Sequence, residues 1–277
     1  MRVAFLGPAG TFTEEALLES RLGGLEPVAY PTVYDTVMAV HDGRTERAFV
    51  PIENSLEGGV AATLDALATE ASDVRIVAEV IHPIHHCLIA REPLALDDIR
   101  RVVSHPQAMS QCTGLLREEL GAAERVSSVS TAEAARVVAE SGEPWAALSS
   151  RLAADLYGCS VLRENVEDSG DNETRFVWLA PADVGHAGDG GGDKTSIVFW
   201  GFNDESPGAL VNVLGELADR EINLTRIESR PRRVGLGHYM FFVDLEGGAH
   251  EGRVADALDA LAARVEELRV LGSYASA

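Results

Sequence analysis

Asp171-Asn172-Glu173-Thr174-Arg175-Phe176 sets a hydroxyl beside a permanent cation, just before the strand-like run Val177-Trp178-Leu179. A guanidinium in such a place can grip an anionic substrate through its planar fork of donors. The hydroxyl next to it can touch a leaving oxygen. Its proton is not acidic near neutral pH, so Thr174 would serve as a positioned donor rather than a strong acid. Phe176 reads more naturally as packing beneath the loop.

Three distant loops offer groups that could complete such a site. Gly7-Pro8-Ala9-Gly10-Thr11-Phe12 lies between a strand and a helix, where free backbone N–H groups attract anions. Its glycine spacing is not that of a dinucleotide fold. Pro51-Ile52-Glu53-Asn54-Ser55, followed by Leu56-Glu57-Gly58-Gly59, brings neutral donors and close-approaching amides to a strand end. Ser104-His105-Pro106-Gln107 has the same placement, although an N-cap followed by Pro explains much of it. His82, His85 and His86 share one segment, but no carboxylate or cysteine completes a recognisable metal spacing, so no metal is expected. Cys87, Cys112 and Cys159 are scattered and read as reduced, buried thiols.

These loops need elements to position them. From residue 1 to about 180, strand-like and helix-like segments alternate, which argues for an α/β architecture with largely parallel sheets. Arg2–Leu6 reads as a strand and Thr11 to Leu22 as a helix, with Thr11 and Glu14 at capping-box spacing. Val74–Val80 and Arg101-Val102-Val103 read as strands. Pro106 opens a helix, and Ser130 with Glu133 opens another that runs through Glu140. Ala182–Asp193, rich in glycine, reads as a linker. Beyond it the order is βαββαβ, that of a ferredoxin-like module, with a helix expected to start at Ser206-Pro207.

The chain has 277 residues, enough for two domains, and a formal charge of −21. That charge argues against non-specific binding to nucleic acid or to an anionic membrane. No apolar run is long enough to span a bilayer, and the first strand-like run lacks a signal-peptide core, so a cytoplasmic protein is expected.

The loops at Gly7, Pro51 and Ser104, with Asn172-Glu173-Thr174-Arg175-Phe176, resemble in order the signature motifs of prephenate dehydratase. Pro207-Gly208-Ala209-Leu210 and Glu228-Ser229-Arg230-Pro231 resemble the phenylalanine-binding motifs of an ACT regulatory domain. The resemblance covers nearly the whole chain. It implies a two-lobed α/β catalytic domain, like the type II periplasmic-binding-protein fold, followed by an α+β ferredoxin-like ACT domain. Residues 1–181 would be catalytic, with lobe one at about 1–78 and 160–181 and lobe two at about 79–159. The linker would be 182–193 and the ACT domain 194–277. The implied reaction is decarboxylating dehydration of prephenate to phenylpyruvate, with dehydration of arogenate as the alternative. No cofactor and no fused chorismate mutase are implied. Thr174 and Arg175 would be catalytic, with Arg175 the carboxylate clamp. Gly10, Thr11, Asn54, Ser55, Ser104, Gln107 and Phe176 would meet substrate. Gly208, Ala209, Leu210, Glu228, Ser229 and Arg230 would bind L-phenylalanine, in a homodimer or homotetramer.

Overall fold

The computed structural model describes residues 1–20, 23–184, 192–202 and 206–277. Most of the glycine-rich linker expected at 182–193 therefore lies outside the described residues. The first stretch runs β1 (Arg2–Leu6), α1 (Phe12–Glu19), β2 (Glu26–Tyr30), α2 (Val33–His41), β3 (Arg47–Asn54), a two-residue β4 (Gly58–Gly59), α3 (Ala61–Ala68) and β5 (Val74–Pro83). Then come β6 (Cys87–Ala90), β7 (Arg101–Ser104), α4 (Pro106–Gln111), α5 (Thr113–Glu118), β8 (Glu124–Ser127), α6 (Thr131–Glu140), β9 (Trp145–Ser149), α7 (Arg151–Tyr157) and β10 (Ser160–Arg163). The chain returns through β11 (Glu173–Pro181). It ends in β12 (Lys194–Trp200), α8 (Ala209–Ala218), β13 (Leu224–Pro231), β14 (Tyr239–Glu246), α9 (Gly252–Ala262) and β15 (Glu267–Tyr274).

The helix starts follow local chemistry. Thr11 and Ser130 each accept a hydrogen bond from the N–H three residues on, as capping predicts. Glu14, however, reaches Gly10 N–H rather than that of the cap itself. The last domain's first helix begins at Ala209 instead of Ser206-Pro207, because Gly208 takes a left-handed φ of +81° there.

Lobe two is a separate sheet, ordered β10-β6-β9-β7-β8. Lobe one contributes β5-β11-β3-β1-β2 to a larger sheet that continues into the last domain as β13-β14-β12-β15. This two-lobed α/β domain with a ferredoxin-like module agrees with the architecture that the motifs imply. Sheet membership moves the lobe crossings, however. All of β5 belongs to the large sheet, and β10 pairs with β6 in lobe two. The crossings thus fall near residues 84–86 and 164–172, later than the 79 and 160 expected. Strand length is the reason: β5 pairs with β11 as far as Pro83.

One residue joins the two parts of the large sheet, where Gly272 on β15 pairs with Ile76 on β5. A Cβ at Gly272 would sit 2.2 Å from the Ile76 carbonyl oxygen, so only glycine permits this approach.

Candidate active site

The cleft between the lobes encloses a cavity of about 350 Å³. Thr174, Asn54, Gln107 and Phe176 line it, as do Phe12, Thr13, His86, His105, Gln111, Ser130, Thr131 and Asn172. The first residues of five helices, or their caps, lie on its wall: Phe12 and Thr13 of α1, Val33 of α2, Val60 before α3, His105 before α4, and Ser130 with Thr131 at α6. Helix N-termini carry partial positive charge and unpaired N–H groups. No Lys or Arg lines the cavity among the described residues. The site is thus built to hold an anion with neutral donors and backbone amides.

A chain of amides fixes the polarity of the wall. Asn54 Oδ1 accepts the backbone N–H groups of Leu56 and Glu57, so its Nδ2 must face the cleft. That Nδ2 donates to Thr174 Oγ1 at 2.9 Å and to Asn172 Oδ1 at 2.8 Å. Asn172 is thereby oriented with its own Nδ2 toward Gln111 Oε1, 3.1 Å away. With a lone pair of Thr174 occupied by Asn54, the threonine O–H is left to donate. Phe176 stacks on Phe49 with ring centroids 5.1 Å apart and forms the apolar floor.

The remaining expected substrate contacts fall elsewhere. Ser104 is fully buried and donates to the Leu148 carbonyl, which ties β7 to β9 away from the cavity. Ser55 donates to the Asp171 carbonyl and accepts from Glu173 N–H, so it clamps the loop that carries Asn172. Thr11 caps α1 and donates to the Leu6 carbonyl. Gly10, at φ +87°, packs against Ala153 of α7 and accepts Ser150 Oγ on its carbonyl, a contact between the lobes.

Arg175 departs most from expectation. Side chains alternate along a strand, so while Thr174 and Phe176 face the cleft, Arg175 faces the other way. There Asp244 of β14 lies 2.6 Å from it, Glu79 of β5 3.1 Å, and Glu53 of β3 3.1 Å. Burial opposes its charge, but Asp244 above all, with Tyr274 and Glu53, outweighs that and raises its pKa above the ordinary value. Lys194 of β12 also pairs with Glu79. The guanidinium thus sits in an ion cluster between β11 and the last domain, with no face on the cavity.

The histidines separate in the same manner. His82 meets Glu15 and Glu19, His85 meets Glu167, and His86 meets Gln111. No group of metal-binding side chains forms among the described residues. His86, Gln111 and Asn172 were not among the expected site residues. Periodicity could not reveal them, since each reaches the cleft from a lobe crossing or from the last turn of a short helix.

On the last domain, Phe202, Gly208, Ala209, Leu210, Tyr239 and Phe241 surround a second cavity of about 310 Å³. Glu228 and Arg230 lie away from it: Arg226 holds Glu228, while Arg230 forms a two-pronged pair with Asp65 of α3. Ser229 is exposed on β13.

The family model described as prephenate dehydratase matches residues 3–183, and that of the ACT domain matches residues 196–263. The chain belongs to the prephenate dehydratase family. A prephenate dehydratase from Amycolatopsis methanolica is 42% identical over 276 residues, covering 100% of this chain and 89% of the relative. The crystal structure of a prephenate dehydratase in complex with L-Phe from Arthrobacter aurescens is 40% identical. It superposes with a TM-score of 0.89, covering 99% of this chain and 90% of the other. A structure described as a novel type of quorum quenching acylase is 37% identical, with a TM-score of 0.87 and coverage of 100% and 98%. The chain is therefore an enzyme of the prephenate dehydratase class, a carbon–oxygen lyase carrying an ACT domain. No helix among the described residues is long and apolar enough to cross a membrane.

Proposed function

We propose that the cleft converts prephenate to phenylpyruvate, water and carbon dioxide in a cytoplasmic pathway to L-phenylalanine. The observation that carries this reading is Thr174: Asn54 occupies a lone pair of its oxygen, which leaves the O–H to donate into an anion-binding cavity. The aromatic ring formed on loss of both groups supplies the thermodynamic drive, so the protein chiefly positions and stabilises. Helix N-termini and the Gln107 amide offer donors for the substrate's carboxylates. With no Lys or Arg on the cavity wall among the described residues, no fixed cation holds the ring carboxylate back from decarboxylation. Thr174 donates to the departing hydroxyl. Incubation with prephenate and with arogenate, following phenylpyruvate and phenylalanine respectively, tests the reading. Turnover of arogenate alone would establish the aminated substrate instead.

The acylase neighbour raises amide cleavage as a second activity. Acyl transfer needs a nucleophile within hydrogen-bond reach of a base. Among the described residues of the cavity, no hydroxyl pairs with an imidazole: Thr174 is held by Asn54, and Ser130 caps α6. Burial pushes the Cys87 thiol up to about 11 and the Cys112 thiol up to about 12, far from a reactive thiolate. Dehydration is the better-supported chemistry.

The ACT cavity is proposed to take L-phenylalanine, with its carboxylate at the α8 N-terminus and its ring against Phe202, Leu210 and Phe241. Glu228, Ser229 and Arg230 lie off this cavity within one chain. They would complete the site across a dimer or tetramer of ACT domains. Ala209→Asp tests the pocket. A carboxylate in the first helical turn suits the helix dipole but repels the effector's carboxylate. The expected result is an unchanged melting temperature, full turnover and a loss of phenylalanine inhibition of about tenfold or more, equivalent to roughly 1.4 kcal/mol of binding. Unaltered inhibition would remove the effector from this cavity.

A further inference from the structure

Among the described residues, two buried polar atoms on the cleft wall lack a hydrogen-bond partner: His86 Nδ1 and Gln111 Nε2. Both residues line the cavity that holds Thr174. Buried polar atoms are nearly always paired, so such orphans at a cavity point to a ligand that completes them.

The amide chain fixes what each orphan can do. Gln111 Oε1 accepts from Asn172 Nδ2 and lies 2.9 Å from His86 Nε2. A carbonyl oxygen cannot donate, so Nε2 of His86 must carry the proton. Its Nδ1 is then a bare lone pair when the ring is neutral. When the ring is charged, Nδ1–H is a donor with no protein acceptor. Phe12 meets the imidazole edge-on at a centroid distance of 5.2 Å and holds its plane. Gln111 is fixed by two donors on its oxygen, which leaves its NH₂ for the ligand.

We propose that His86, through Nδ1, is the proton donor to the hydroxyl that leaves, with Gln111 Nε2 donating to the bound anion beside it. This rests on the dehydration reading of the cleft. The bond from the ring to its carboxylate breaks and releases carbon dioxide, and its electron pair completes the aromatic ring. The carbon–hydroxyl bond breaks with its own pair. The hydroxyl takes the Nδ1 proton and departs as water, and solvent then returns one proton to the neutral imidazole.

The electrostatics suit a proton loaded only when substrate is present. Burial is the main influence on free His86 and pulls its pKa below the ordinary value, with His85 adding to the effect, while the Gln111 contact and Glu167 oppose it. Glu167 also accepts the His86 backbone N–H at 2.8 Å and pairs with His85 at 2.7 Å. Among the described residues, the other titratable group on the cavity wall is His105, whose Nδ1 caps α4. A substrate with two carboxylates brings negative charge to this wall and raises the His86 pKa again. Charged His86 is the active form, so kcat should fall as pH rises through the substrate-bound pKa.

The test compares the wild type with His86→Asn, His86→Gln and His105→Gln, using prephenate across pH. General acid catalysis is typically worth about 100- to 10,000-fold, so kcat of both His86 variants should fall at least about 100-fold, with KM changed far less. The falling limb at high pH should vanish in these variants. Near-normal turnover, or a limb that disappears in His105→Gln instead, would overturn the proposal. If the His86 variants fail to fold, nitrogen NMR of histidine-labelled wild type decides the matter. Free enzyme should show a neutral ring protonated at Nε2, and added phenylpyruvate should shift it toward the charged form. A ring protonated at Nδ1, or one that the ligand leaves unmoved, would overturn it. Failure of wild type to release phenylpyruvate from prephenate would instead sink the underlying reading.

Discussion

Thr174→Val should lower kcat for prephenate by about 100- to 1000-fold, the usual cost of one preorganised donor at a developing charge. Valine keeps the β-branched shape of threonine on a buried strand, so packing against neighbouring strands should persist. The Asn54 amide loses one acceptor but retains Asn172 Oδ1 and the Glu173 carbonyl, so the loop should keep its form. A melting temperature within a few degrees of wild type, together with the kinetic loss, would place the effect on chemistry. KM should change little, since the hydroxyl contact strengthens only as the leaving oxygen gains charge. Near-normal turnover would remove Thr174 from the leaving group and leave it as an anchor for Asn54.

This expectation came from sequence and gained its mechanism from structure. The juxtaposition of hydroxyl and cation at residues 174 and 175 was legible, and so was the α/β alternation that carries it. What sequence could not show is the face each side chain takes. Neighbours in a strand point apart, and that rule splits Thr174 from Arg175 once both flanks of β11 are known to be covered. The flank facing the ACT domain is covered where β15 joins β5 at Gly272, 196 residues along the chain from its partner Ile76. Ser104 lies off the cavity for a related reason: its hydroxyl donates to the Leu148 carbonyl of the neighbouring strand β9. His86 and Gln111 were hidden because their roles come from an orientation passed along from Asn54, not from any spacing.

That orientation also explains why the cleft can dispense with lysine and arginine. Backbone amides at Leu56 and Glu57 set Asn54, and the setting passes through Asn172 to Gln111. Each group is rigid before substrate arrives, so little reorganisation is required at the moment of reaction. The cation nearest in sequence is spent on the opposite face, where it ties the ACT domain to the strand that carries Thr174.

Arg175 therefore yields the second large prediction, one that distinguishes a clamp from an interdomain tie. In Arg175→Met, among the described residues, Asp244 keeps Ser196 as its side-chain partner and Glu79 keeps Lys194, with both carboxylates buried. Removing one partner from a buried ion cluster costs about 3–5 kcal/mol. In a chain of this size the melting temperature should fall by on the order of 10 °C. Glu53 contributes little to that figure, because its side chain is 36% exposed and water screens it. Adding Asp244→Asn removes the stranded charge and should restore part of the loss, a coupling that a double-mutant cycle reads directly. A substrate clamp predicts the reverse pattern: Arg175→Lys would raise KM with the fold intact, and Asp244→Asn would rescue nothing. The tie also makes a claim about regulation. Arg175 adjoins Thr174 along β11, so movement of Asp244 with the ACT domain reaches the Thr174 hydroxyl within one residue. If the double variant retains turnover, its inhibition by phenylalanine should weaken, because the effector shifts activity only through contacts that differ between two states. Inhibition that stays at wild-type strength in that variant would show that the signal crosses elsewhere, with the Arg230–Asp65 pair the next place to cut.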